Sequence, residues 1–239
     1  MRYAIAPEIF GLFPGMRVAV AVAEGVDNTS PRPAVDALWR ESWERAGALA
    51  AEYANAQSHP HVAPWRGAFK AMGVSSKEFR SSIEAMLRRA MRGGEPFSIN
   101  PLVDFYNGIS LRHISPAGGF DLDQLGTDLL ELRLSRAGEE FLALGASEPE
   151  LVPAGEVSYV ADGKILTRHF VWRQSKLGAL APETRTVFLV SEVLGDVEAH
   201  SGGTIADVML ADFCAGLGEY FGVTARPFML DEANPSCEW

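Results

Sequence analysis

The 239-residue chain has only two cysteines, Cys214 and Cys237. Neither belongs to a C-x-x-C pair, and two isolated thiols make neither a disulfide framework nor a thiolate metal site, so a reducing cytoplasmic setting is expected. No run of 18 apolar residues occurs, and the start places Pro7 and Glu8 where a signal peptide needs an apolar core. Neither a membrane span nor export is expected. Common catalytic signatures are missing too: there is no G-x-S-x-G elbow, no G-x-x-x-x-G-K-[ST] loop, no G-x-G-x-x-G and no H-E-x-x-H. Positive charge is scarce, with 21 Lys and Arg against 31 Asp and Glu and a formal net charge of −10. That argues against a surface coated in DNA or other nucleic acid, while leaving room for a local basic face. The five histidines are scattered, and His59-Pro60-His61 reads as an exposed loop because no carboxylate or cysteine accompanies it. No metal or cofactor is expected.

What the chain does have is apolar residues, 47% of the total, and enough length to bury a core without disulfides. No repeat or linker divides it, so one domain over 1–239 is expected. Met16–Glu24 reads as a Val-rich strand. A helix follows Ser30-Pro31-Arg32-Pro33, and Val35, Leu38, Trp39, Trp43 and Ala46 share its buried face. A second helix is read from Ser75, with Glu78 completing a capping box, to Gly93-Gly94. Val157–Ala161 and Lys164–Trp172 read as a hairpin around Asp162-Gly163, a type I′ signal. Thr186–Leu194 is a further strand, then a helix capped by Thr204 and Asp207 and stopped by Gly222, then an edge strand Val223–Leu230 containing Pro227. Helices and strands mix without βαβ alternation, which makes the fold class α+β.

From Arg66 to Arg92 seven cations face only Glu78 and Glu84, a local excess of +5 in an acidic chain. Lys77, Arg80, Arg88, Arg89 and Arg92 form either a solvated helix face or a surface for RNA phosphates.

The Ser98–Leu125 segment, SINPLVDFYNGISLRHISPAGGFDLDQL, sets Asn100, Asn107, Pro116, Gly118 and Gly119 among short apolar runs, ahead of Asp121 and Asp123. Such residues either make turns or let backbone and amide groups approach a ligand. The segment resembles the VDxTNYxxxxxGQPxHAFDLDKL stretch of the B3/B4 domain of the bacterial phenylalanyl-tRNA synthetase β subunit. Val103-Asp104, Asn107, Pro116 and Phe120-Asp121-Leu122-Asp123 stand at matching positions and spacing. Pro182-Glu183-Thr184-Arg185-Thr186-Val187-Phe188-Leu189 is similar to that domain's TxETxNVLLE stretch, and the resemblance runs from about Pro64 to Leu194.

The resemblance implies a single α+β domain with a β-sandwich-like core of unusual topology flanked by helices. In the synthetase it binds the misacylated tRNA end and hydrolyses tyrosine from it. A free-standing relative is expected to bind tRNA or aminoacyl-tRNA, not DNA or membrane, and to act as a trans-editing deacylase. The alternative is a non-catalytic tRNA or amino-acid binding module. No catalytic side chain is assigned, since an activated ester needs only positioned water and a stabilised oxyanion.

The family's editing positions transfer in part. Asn107 is retained, with Tyr106 in place of the preceding Thr, while the family's His falls on Gly118, beside Gly119. Val171-Trp172-Arg173-Gln174-Ser175 replaces the family's glycine loop, and the Glu that receives the tyrosine hydroxyl falls on Val190. Glu192 lies two residues further along the same strand face. Asn107, Gly118, Gly119, Trp172, Arg173, Ser175 and Val190 are therefore the expected substrate-binding residues. A pocket without its carboxylate loses its preference for a phenol, so a substrate other than tyrosyl-tRNA is expected. Arg173 suits a carboxylate or phosphate, or else it pairs with an acid such as Glu156 while Trp172 packs in the core.

Overall fold

The computed structural model describes residues 1–239. The chain runs β1 (Arg2–Ile5), α1 (Pro7–Leu12), β2 (Arg17–Ala23), α2 (Pro33–Ala48), α3 (Ala63–Ala71), α4 (Ser82–Met91), α5 (Pro101–His113), β3 (Gly118–Asp121) and β4 (Leu129–Leu134). It continues with β5 (Glu140–Phe141), β6 (Glu150–Leu151), β7 (Val157–Ala161), β8 (Lys164–Ile165), β9 (Thr167–Arg168), β10 (Arg173–Gln174) and β11 (Val187–Val193). Last come α6 (Gly195–His200), α7 (Ile205–Phe221), β12 (Arg226–Leu230) and β13 (Ser236–Glu238). This mixture is α+β.

Two sheets organise it. One has the order β12-β2-β11-β3, the other β13-β1-β4-β7-β8-β5-β6. Alternation along β2 explains their packing, because successive side chains of a strand point to opposite faces. Val18, Val20 and Val22 join Phe188 and Val190 of β11 in a cluster with Tyr3, Leu130, Leu132 and Tyr159 of the second sheet. Ala19, Ala21 and Ala23 join Val187 and Leu189 in a separate cluster under α2, α5 and α7. The small sheet is therefore covered on both faces, by the large sheet on one side and by helices on the other. Each fully buried Val or Phe of these clusters contributes roughly 1.5–3 kcal/mol of transfer free energy.

Several sequence expectations hold. Trp39 and Trp43 are core residues of α2, and their indole N–H groups donate to the carbonyls of Phe97 and Gly94. Asp162 (φ 46°) and Gly163 (φ 69°) are both left-handed, as a type I′ turn requires. Gly222 (φ 69°) ends α7, and β12, with Pro227, is an edge strand.

Others need correction. The second helix begins at Ser82, not Ser75: Ser75–Phe79 makes one isolated turn, and Ser81 is the cap, accepting from the Glu84 N–H. Lys77 and Arg80 consequently precede α4. Thr204 stands at the N-cap position of α7 and Asp207 in its first turn, but neither side chain makes the cap bond: the Glu198 carboxylate receives the N–H groups of Ile205 and Ala206 while Asp207 pairs with Arg17. The strand read as Lys164–Trp172 breaks after Arg168, where His169 (φ 47°) and Phe170 (φ 63°) turn the chain back into β10. His59-Pro60-His61 is not an exposed loop. His59 is buried, its ring 5.1 Å from that of His61, whose Nδ1 lies 3.0 Å from the His113 carbonyl and so carries the proton.

Candidate functional site

The site grows from the meeting of β3 with β11. Asn100 caps α5 by accepting from the Val103 N–H, and α5 ends at Ile114, a β-branched residue in the left-handed region (φ 51°). The Ser110 hydroxyl holds that corner by donating to the Ser115 carbonyl at 2.5 Å. The chain then passes Pro116 and Ala117 into β3, which pairs antiparallel with β11 so that Gly118 stands opposite Val190 and Phe120 opposite Phe188. The two glycines divide the work. A methyl group on Gly119 would lie 2.9 Å from both the Leu180 and the Leu189 side chain, so close packing excludes one. A methyl group on Gly118 would meet nothing within 4 Å, because that face opens into a cavity.

The β9–β10 hairpin forms the opposite wall. The Gln174 amide donates to the Gly119 carbonyl at 2.8 Å and so ties the hairpin to β3. Phe170 packs inward against Phe13 and Trp65. Trp172 is half-buried against Phe79 and His169, and Arg173 lies exposed beside it, its guanidinium carbon 5.8 Å from the indole centroid. Arg173 makes no ion pair. It is Arg168 that takes Glu156, at 2.7 Å, and Glu150 as well. The expected choice between a paired Arg173 and a free one therefore resolves to a free one, through a neighbouring arginine.

The space between these walls is about 200 Å³, and it brings together six of the seven expected residues: Asn107, Gly118, Gly119, Trp172, Arg173 and Val190. Ser175 is not among them. It is buried outside the cavity, its hydroxyl donating to the Leu142 carbonyl at 3.0 Å, because the chain after Gln174 bridges to Ala143 instead of following the wall.

One residue of consequence borders the cavity without having been among the expected seven. Glu192 is 3% exposed, accepts the Tyr159 hydroxyl at Oε1, and Tyr159 in turn accepts the Tyr3 hydroxyl at 3.2 Å. Burial pushes its carboxyl up to about 7, against which the Tyr159 bond pulls only in part. Burial likewise raises both tyrosines well above their usual range. Apart from its own backbone N–H, the Glu192 carboxyl has no protein partner beyond Tyr159, and it is not among the polar atoms sealed from solvent. The Asn107 amide has no protein partner and is likewise not sealed. The signal in the sequence was period-two alternation, which puts residue 192 on the face of residue 190.

The five cations have different surroundings. Arg80 and Arg66 lie 3.9 and 2.6 Å from the buried Glu84 carboxylate. Arg89 lies over the rings of Phe97 and Trp43, at 4.7 and 5.8 Å. Arg88 and Arg92 line a groove with Asn55, Gln57 and that same Glu84, and Lys77 stands on the turn beside Phe79. No three His, Cys, Asp or Glu side chains converge in a way that could hold a metal, and no helix is long and apolar enough to cross a membrane.

No curated protein matches this sequence. Among solved structures, an N-terminal fragment of the phenylalanyl-tRNA synthetase β subunit from Pyrococcus horikoshii is similar at a TM-score of 0.41 and 11% identity. The alignment covers 96% of this chain and 53% of that one, so the chain spans about half of its length. The profile of the B3/4 domain matches residues 64–201, which include β3, the hairpin and β11. With more than half of its residues inside that match, the chain belongs to the B3/4 domain family.

Proposed function

We propose that the cavity between β3 and the β9–β10 hairpin receives the aminoacyl end of a tRNA, and that the protein hydrolyses an amino acid other than tyrosine from it in trans. The observation that carries this is the convergence of Asn107, Gly118, Glu192 and Arg173 on one open cavity, with the Asn107 amide free of protein partners and the Glu192 carboxyl without a side-chain partner beyond Tyr159. Water would add to the ester carbonyl, the acyl C–O bond to ribose would break, and the products would be a free carboxylate and a ribose hydroxyl. An aminoacyl ester is already activated, so a positioned water and one donor for the oxyanion suffice. The Asn107 amide is the donor available. Arg173 at the mouth suits a backbone phosphate, and Lys77 and Arg80 flank Phe79, which packs on Trp172. Arg88 and Arg92 would contact RNA further along; Arg89 is occupied by its aromatic partners and would not.

Hydrolysis is tested by incubating the purified protein with a panel of aminoacyl-tRNAs and following release of the amino acid. Release from one non-tyrosyl member supports a deacylase. Binding of tRNA that weakens with salt, with no release from any member, supports the second assignment, a tRNA or amino-acid binding module. That assignment is favoured by one observation: neither Gly118 nor Val190 carries a polar side chain at the two positions where the resembled family has them.

A further inference from the structure

We propose that the cavity selects an organic ammonium group: the side chain it takes ends in an amine, held between aromatic faces with its charge against Glu192. This rests on the assignment of the cavity to the amino-acid part of an aminoacyl group and adds the chemical class of that amino acid. Tyr106, Phe120, Tyr159, Phe170 and Trp172 line the cavity with Glu192, its only carboxyl. Ring faces carry the negative end of the aromatic quadrupole and attract cations most strongly where water is excluded. One carboxyl among five aromatic side chains offers an ammonium a counter-charge together with ring surfaces.

The carboxyl is held in place for this. Tyr159 spends its proton on Oε1 and receives that of Tyr3, which leaves Oε2, on a residue that lines the cavity, without a side-chain partner. An apolar ligand would strip water from Oε2 and return no hydrogen bond, a net loss. A hydroxyl would return one neutral bond. An ammonium returns a charge-assisted one, which is stronger. Arg173, the only cation of the lining, stands at the rim, where it suits a negative group at the ligand's other end. The titratable groups around Glu192 are Tyr159 from β7, Tyr3 from β1, Tyr106 from α5 and Arg173 from β10, while β2 presents Val18 opposite it. Burial holds the carboxyl up at about 7. An ammonium binds its ionised form, so affinity must rise with pH through neutrality, whereas that of an uncharged ligand does not.

The test uses three probes on the full chain: Nα-acetyl-lysinamide, Nα-acetyl-norleucinamide and Nα-acetyl-tyrosinamide, titrated calorimetrically between pH 6 and pH 8. The lysine probe is expected to bind at least about tenfold more tightly than the norleucine probe at pH 8, with an affinity that climbs with pH. The norleucine affinity should stay level, and Glu192→Gln should abolish the difference. Equal or tighter binding of the norleucine or tyrosine probe, a preference that survives Glu192→Gln, or no binding of any probe overturns the proposal. Should Glu192→Gln fail to fold, the wild-type pH profile decides, and a level one overturns it. Failure of the tRNA assignment looks different. Preferred lysine-probe binding with no aminoacyl-tRNA hydrolysed keeps the cavity chemistry and removes the deacylase. Hydrolysis confined to an apolar aminoacyl-tRNA does the reverse.

Discussion

Gly118 and Val190 stand opposite one another in an antiparallel pair, and both border the same cavity. Two positions 72 residues apart in sequence thereby occupy one wall, and the side chain that Gly118 lacks leaves part of the cavity's space.

Filling that space separates binding from stability. Gly118→Leu should leave the unfolding midpoint within the range of an ordinary surface change, about 0.5 kcal/mol, because its first added atom meets nothing. It should abolish ligand binding and any deacylation. Gly119→Ala should do the opposite and lose about 1–3 kcal/mol through overpacking against Leu180 and Leu189. Urea denaturation beside a binding assay checks both. Equal effects from the two substitutions would place Gly118 outside the cavity.

Glu192 should make the protein less stable as pH rises toward neutrality. Its carboxyl is raised in the folded state from 4.5 to about 7, so the folded protein holds a proton that the unfolded chain has released. Stability from this group is complete below pH 4.5 and is lost as pH climbs through 7, by roughly 3 kcal/mol. Glu192→Gln keeps the Tyr159 bond without the titration. It should match wild type near pH 5 and exceed it near pH 8, as chemical denaturation at the two values would show. A variant that loses stability equally at both would mean the carboxyl is charged throughout.

Arg168 should matter to folding and Arg173 should not. Arg168→Ala removes the cation from the half-buried Glu156, which keeps the His169 N–H, a change expected to cost about 1–3 kcal/mol, partly recovered in Arg168→Lys. Arg173→Ala removes an exposed, unpaired side chain and should leave the midpoint unchanged while weakening binding of a negatively charged ligand. Thermal melts of the three variants read the contrast directly.

Arg88 and Arg92, which share one groove, are the cations of α4 and its end to test for RNA contact. If each neutralises a phosphate, each replacement by Ala should lower the slope of log K against log salt by about 0.7–0.9. Arg89→Ala should instead destabilise the fold by removing its stacking on Phe97 and Trp43. An unchanged slope in Arg88→Ala/Arg92→Ala would leave these residues a solvated face.

Legibility followed the range of the physics involved. The Val-rich run of β2, the Asp162-Gly163 turn and the Gly222 stop were readable because propensity and turn chemistry act over a few residues. The start of α4 was misplaced because two Ser-x-x-Glu boxes, Ser75–Glu78 and Ser81–Glu84, lie in series, and only packing of Ile83, Met86 and Leu87 chooses between them. Strands of two to four residues, such as β1, β5 and β13, are too short for a period to register. The site divided in the same way. Asn107, Gly118 and Val190 were found through spacing within recognisable segments. Glu192 owes its position to the hydroxyl of Tyr159, itself held by that of Tyr3, residues 33 and 189 positions distant in sequence that no local pattern announces.

Ile114, His169 and Phe170, three non-glycine residues with left-handed backbones, sit at the approaches to the cavity, at the end of α5 and in the turn between β9 and β10. Such conformations cost on the order of 1–3 kcal/mol each and persist only where neighbours over-determine them, as Ser110 does for Ile114 and the Phe13 and Trp65 rings do for Phe170. Walls locked in this manner have little freedom left to surrender when a guest arrives. Recognition here should be that of a rigid mould, its selectivity written in fixed shape and charge, and its speed governed by the shedding of water from Glu192 and the rings.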